Sequence, residues 1–208
     1  MAPVVNRAPG LEWSVVSRTS PGEAVSGDHH VVAASADCIL LAVIDGLGHG
    51  DEATAAARAA AVVLQERPST PVIELIRLCH DALRATRGAA MTLVAVNVRE
   101  RTATALGIGN VETVVVRARA GAQPARESVL LRNGVVGYQL PRLQTSEIPI
   151  APGDVVLFAT DGVREDFGDR VSAAEPLPQM VERIIAEKFR GHDDALVLAC
   201  KILADDEG

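Results

Sequence analysis

The sequence predicts an α+β protein whose antiparallel sheets are sandwiched between helical layers. Three observations predict it. Strand-like apolar runs outnumber helical stripes and follow one another through short turns, which favours antiparallel pairing. Several of those runs are apolar throughout, so both of their faces are covered. Strands and helices do not alternate strictly, which disfavours a doubly wound nucleotide-binding fold. A chain of 208 residues suits a single domain, residues 1–208, with no low-complexity linker and no internal repeat.

Taken in order, Leu11 to Thr19 reads as a first strand, ended by Pro21-Gly22. Residues 29–36 and 38–44 read as two more. Asp51 to Arg67 is Ala-rich and helical, with Asp51 and Glu52 in the first turn, where the helix dipole favours them. Pro68 ends it. Thr70 is placed to cap a second helix with Pro71 at its first position, and Val72, Leu75, Ile76, Cys79 and Leu83 form one buried stripe. From Met91 the period changes to two. Strands are expected at 91–98, 101–108, 111–118, 129–132 and in a stretch ending at Ile150, with Asn133-Gly134 among the turns. Pro152-Gly153-Asp154 feeds a strand over 155–160. Residues 177–190 form a last amphipathic helix, and strand 195–202 precedes a polar tail.

Composition excludes several functions. Hydrophobic residues make up 48%, enough for a large core, but aromatics only 2%, so the core is aliphatic and no stacking platform for single-stranded nucleic acid is built. A formal charge of −7 opposes binding to a phosphate backbone. Cys38, Cys79 and Cys200 are odd in number and form no CxxC, so they read as buried reduced thiols. No secretory signal or membrane-length apolar run is present, which predicts a cytoplasmic location with no membrane partner.

Acidic turns at the ends of oily strands carry the chemistry. Asp45-Gly46 follows the run 38–44, Asp161-Gly162 follows 155–160, Asp193-Asp194 precedes 195–200, and Asp28 precedes 31–34. Each alone reads as an ordinary turn. As a set they differ, because Asp45 and Asp161 end their strands while Asp28 and Asp193 begin theirs. In antiparallel sheets the start of one strand lies beside the end of its neighbour, so all four carboxylates share one rim. Gathered carboxylates repel and resist desolvation, and hard divalent cations relieve both. Two oxygen-ligated ions roughly 3.5–4 Å apart would activate water for in-line attack on phosphorus. Gly46 and Gly162 leave backbone free to approach such ions. The run Asp45-Gly46-Leu47-Gly48-His49-Gly50 lacks the Lys-Ser/Thr of a Walker loop. His49 reads as a structural or capping residue first and a catalyst second, and His29, His30 and His192 as solvent-facing or hydrogen-bonding neighbours of the acidic turns.

These motifs resemble those of the PPM-type metal-dependent protein serine/threonine phosphatases. Ser26-Gly27-Asp28, Ile44 to Gly50, Ala159-Thr160-Asp161-Gly162-Val163 and Gly191-His192-Asp193-Asp194 occur in that family's order, over about residues 11–202. Ser17 to Glu23, Gly107-Ile108-Gly109-Asn110 and Pro152-Gly153-Asp154 add to the likeness. The compact bacterial branch that regulates sigma factors, and within it the RsbX-like stressosome phosphatases, is the most similar. The resemblance implies a four-layer α-β-β-α sandwich of two antiparallel sheets flanked by helices. It implies two Mn²⁺ or Mg²⁺ ions, bridged by Asp45, with the Gly46 carbonyl on one and Asp161 and Asp193 on the other. Asp28 would bind a metal or orient its water. Arg18 would bind phosphate. Leu47 stands where many members carry a proton-donating His, leaving His49 or water for that role. Ala195-Leu196 stands where an apolar residue and Thr usually follow the Asp pair. The implied activity is dephosphorylation of stressosome or anti-sigma-factor-antagonist proteins, which resets a stress response. The alternatives are a weakly catalytic phosphoprotein-binding module and a hydrolase of small phosphoesters.

Overall fold

The computed structural model describes residues 3–35 and 38–204. The last residue of the expected strand 29–36 and the polar tail lie outside the described residues.

Two six-stranded sheets face each other. The first runs β1 (Asn6–Ala8), β2 (Leu11–Arg18), β12 (Ala195–Ile202), β11 (Val155–Ala159), β7 (Glu112–Val116) and β8 (Arg126–Ser128), antiparallel throughout. The second runs β10 (Ser146–Pro149), β6 (Thr102–Ile108), β5 (Ala89–Asn97), β4 (Ile39–Gly46) and β3 (Asp28–Ala34). Its one departure from antiparallel order is the two-residue β9 (Leu131–Arg132), which pairs with β6 in parallel. Helices α1 (Gly50–Glu66) and α2 (Val72–Ala82) cover the outer face of the second sheet, and α3 (Leu177–Lys188) covers that of the first. The layers are therefore α-β-β-α.

The apolar runs are explained by this double covering. Along β4, Leu41 and Val43 point between the sheets while Leu40, Ala42 and Ile44 meet α1 and α2. Along β12, Leu196, Leu198, Cys200 and Ile202 point inward, and Ala195, Val197 and Ala199 meet α3. Alternate side chains leave a strand on opposite faces, so a strand covered on both sides has no polar phase. The alanines of α1 (Ala53, Ala56, Ala57, Ala60 and Ala61) are buried and small, which brings the helix backbone close to β3 and β4.

Boundaries differ from expectation in a few places. The second helix starts at Val72 rather than Pro71, because Pro71 is extended (ψ 139°) and is itself the N-cap; Thr70 lies one residue outside. Of the expected strand 129–132 only Leu131–Arg132 is a strand, the two-residue β9; just before that range Arg126–Ser128 forms β8, in the other sheet. The last helix stops at Lys188, where Phe189 turns extended to bridge Val163.

Candidate metal centre

The register places the first two aspartates opposite each other. Asp28, opening β3, is the Cα partner of Asp45, near the end of β4. In the other sheet β11 ends at Ala159, opposite Val197 of β12, so Asp161 and the pair Asp193-Asp194 occupy the same end of that sheet. Thr160 joins the two sheets there. Its hydroxyl donates to Asp28 Oδ2 at 2.7 Å and accepts from the Leu196 amide at 2.8 Å. All four expected carboxylates therefore lie on one rim.

Their electrostatics record the convergence. Burial, and then the charges of Asp161, Asp193 and Asp194, push Asp45 up to about 7, against a hydrogen bond from Asn110. Burial and Asp45 hold Asp28 well above the usual carboxylate range, partly offset by the Thr160 hydroxyl. Burial and Asp193 raise the more exposed Asp161, opposed by Asn110, Arg190 and His192. Among the described residues no three His, Cys, Asp or Glu side chains stand in a ready-made arrangement for a metal ion. Carboxylates that repel stand apart, yet these remain close enough to disfavour each other's ionisation, and hard cations relieve that repulsion. The donor set, all oxygen, fits Mg²⁺ or Mn²⁺.

The two glycines have a local packing reason beside the one expected. A Cβ on Gly46 would strike the Ala53 carbonyl of α1, and one on Gly162 would strike the Asp194 carbonyl. Each glycine lets a second backbone segment press onto the acidic turn. The Asp pair divides its work. Asp194 is 5% exposed and accepts from the amides of Ser20 (2.7 Å) and Gly27 (2.6 Å), so it closes the loop between β2 and β3. Asp193 is the less buried member, and its Oδ1 accepts from the Asp194 amide at 2.8 Å.

Other residues fall as follows. Arg18 is exposed at the end of β2, opposite Ala195, and so stands on the same rim. His49 precedes α1 as its N-cap, but its side chain makes no cap; its Nδ1 lies 2.7 Å from Glu23 Oε1. Leu47 is half-buried, its amide bonded to the Gly88 carbonyl. His29 and His30 are half-buried rather than solvent-facing, and burial lowers both, His30 to about 4. His192 is exposed, with Nδ1 3.1 Å from the Arg190 carbonyl.

Three contributors escaped the sequence reading. Asn110 donates to Asp161 Oδ2 at 2.6 Å; its signal was the Gly107–Asn110 turn at the end of β6. Arg190 acts on Asp161 and lines, with Glu112, Glu165 and Phe167, a cleft of about 230 Å³ beside it. Glu23 sits in a turn that also belonged to the resemblance, without a role.

The family model described as stage II sporulation protein E (SpoIIE) matches residues 35–203. The chain belongs to that family. A curated relative, the phosphoserine phosphatase RsbX of Bacillus subtilis (strain 168), is 26% identical over 155 residues, spanning 74% of this chain and 75% of its own. A solved structure described as "The bacterial stressosome: a modular system that has been adapted to control secondary messenger signaling" is 30% identical, with a TM-score of 0.82 over 92% of this chain and 99% of its own. RsbX in complex with magnesium superposes with a TM-score of 0.85 over 96% of this chain and 99% of its own, at 20% identity, which speaks for the fold alone. The SpoIIE-family chain is an RsbX-like PPM-type protein serine/threonine phosphatase with the expected sandwich fold.

Proposed function

We propose that this SpoIIE-family phosphatase depends on two Mn²⁺ or Mg²⁺ ions and removes phosphate from serine or threonine of stressosome or anti-sigma-factor-antagonist proteins, resetting a stress response in the cytoplasm. One observation carries the metal reading: four carboxylates from both sheets meet at one rim, where Asp45 is driven to about 7. Asp45 is assigned to both ions, the Gly46 carbonyl to one, Asp161 and Asp193 to the other, and Asp28 to a metal or its water. The cations supply the positive charge and the acidified water for in-line attack on phosphorus. Asp194 is left to its two amides, which supports the choice of Asp193 as ligand. Arg18, exposed on the rim, is assigned to the substrate phosphate, and His49 to the leaving oxygen. The descriptions of the relatives support the substrate class, one naming a phosphoserine phosphatase and the other the bacterial stressosome. No helix among the described residues is long and apolar enough to cross a membrane.

Phosphate release from a phosphoserine peptide and from para-nitrophenyl phosphate, titrated with Mn²⁺, tests this. The expected result is cation-dependent release from both, lost by at least about 100-fold in Asp45→Asn with the circular dichroism unchanged, as for loss of a residue central to catalysis. Leu47, which offers no proton, favours one rival: a module that binds phosphoprotein without turnover. Saturable peptide binding with no release at any cation concentration would decide for the rival.

A further inference from the structure

The loop between β2 and β3 reaches back over the start of α1, and its fastening is unusually complete. Asp194 takes the amides at both ends, Ser20 and Gly27, one on each carboxylate oxygen. A turn closes within it, from the Glu23 amide to the Ser20 carbonyl at 3.1 Å. The Thr54 hydroxyl of α1 shares its one proton between the Ser26 carbonyl at 2.9 Å and the Gly50 carbonyl at 2.8 Å, tying the loop to the first helical turn. The residue this presents is Glu23, whose Oε1 lies 2.7 Å from His49 Nδ1. Gly50 lies directly beside that carboxylate. A Cβ there would come within 2.7 Å of Glu23 Oε2, and φ is +68°, a conformation other residues rarely adopt.

The rest of the loop explains what the pair is for. A carboxylate only accepts hydrogen bonds, so Glu23 fixes a proton on Nδ1 and leaves Nε2 as the outward nitrogen of a ring that is 73% exposed. His49 follows the Asp45-Gly46 turn by three residues and opens α1, whose Ala53, one turn on, lies against Gly27 and Gly46, the chain neighbours of Asp28 and Asp45. An exposed ion pair adds little stability. Four hydrogen-bond donors (the Ser20, Glu23 and Gly27 amides and the Thr54 hydroxyl) and a left-handed glycine are a large investment for a contact of that size, and they are accounted for by orientation.

We propose that Glu23 is a positioning residue which holds His49 with Nε2–H toward the substrate, making His49 the proton donor to the departing seryl oxygen. This rests on the phosphatase reading above and adds to it a residue that acts through another. As the P–O(seryl) bond breaks, its electron pair stays on the seryl oxygen, which takes the Nε2 proton and leaves as the alcohol. The water oxygen that bonds to phosphorus releases a proton to solvent, from which His49 is reloaded.

The test compares leaving groups. A seryl oxygen needs protonation far more than para-nitrophenolate does. His49→Ala should therefore cost about 100-fold in kcat on the phosphoserine peptide, the usual size of a general-acid contribution, and at least about ten times less on para-nitrophenyl phosphate. Glu23→Ala should show the same bias at about 10-fold, and the double variant should be no worse than His49→Ala. Nitrogen-15 spectra of the neutral His49 ring, taken without metal, should report the Nδ1–H tautomer in the wild type and its loss in Glu23→Ala. Equal losses on both substrates, or an Nε2–H tautomer in the wild type, would overturn the proposal. Were the wild type to release phosphate from neither substrate, the phosphatase reading would fail instead, and the ring spectra alone would judge the pair.

Discussion

Asn110 does at the level of one side chain what the cations are proposed to do for the whole rim. Its amide nitrogen donates to Asp161 and its hydrogen bonding also opposes the rise of Asp45, so it holds two repelling carboxylates in register. Removing an outer partner of this kind commonly weakens metal affinity by about 10–100-fold. Asn110→Ala should therefore raise the Mn²⁺ dissociation constant measured by calorimetry into that range, with little change in stability without metal. Asp45 gives a second prediction, in pH. Its folded pKa is raised from 3.8 to about 7, so the native state binds more protons than the unfolded chain across that window. Stability contributed by the protonated form is complete below the lower value and is lost as pH rises through the upper one. Asp28, also raised, acts in the same direction. In EDTA the melting temperature should climb by at least about 3 °C between pH 7.5 and 5.5, the shift roughly 1 kcal/mol gives in a domain of this size. A flat or inverted profile would mean the carboxylates do not strain the metal-free fold.

At the scale of elements, the turn after β11 matters most, because Thr160 is where the two sheets are joined at the site. Its hydroxyl is both donor to Asp28 and acceptor from Leu196, and all three residues are buried. Thr160→Val keeps the shape but strands a carboxylate and an amide, which should cost about 2–3 kcal/mol, read as a lower urea midpoint at unchanged m. Sequence made β4, β11, β12 and the three helices legible, since strands covered on both faces and helices with one apolar stripe leave strong periodic signals. β8 and β9 left none: two or three residues carry no period, and which sheet they join is settled by tertiary contact. The aspartates were legible because each marks the end of a readable strand. Asn110, Arg190 and Glu23 were not, because each is one polar residue in a turn and gains meaning only from a partner 26 to 51 positions away or across the cleft. Gly46 and Gly162 were noticed, but the approach of the Ala53 and Asp194 backbones that also demands a glycine at each is one no local pattern encodes.

At the scale of the whole molecule, a sandwich this apolar between its layers concentrates its electrostatic strain at one rim. The interior from Leu11 to Ile202 is apolar and, Phe158 and Trp13 apart, mostly aliphatic, while Asp28, Asp45, Asp161 and Asp193 share one edge and disfavour each other's ionisation. Function and stability therefore pull against each other at Asp45. Replacing it with Asn removes a desolvated charge from the cluster while keeping its shape, so the metal-free protein should melt higher than wild type at pH 7.5. Saturating Mn²⁺ should reverse the order. A ligand bound only by the native state adds about 2.7 kcal/mol at a hundred times its dissociation constant, so the wild type should gain roughly 5–10 °C, and Asp45→Asn, having lost the assigned bridging carboxylate, far less. The two thermal curves should cross as cation is added. If Asp45→Asn melts lower than wild type without metal, the rim is not a site of stored repulsion; if both gain equally from Mn²⁺, Asp45 is not the residue that holds the ions.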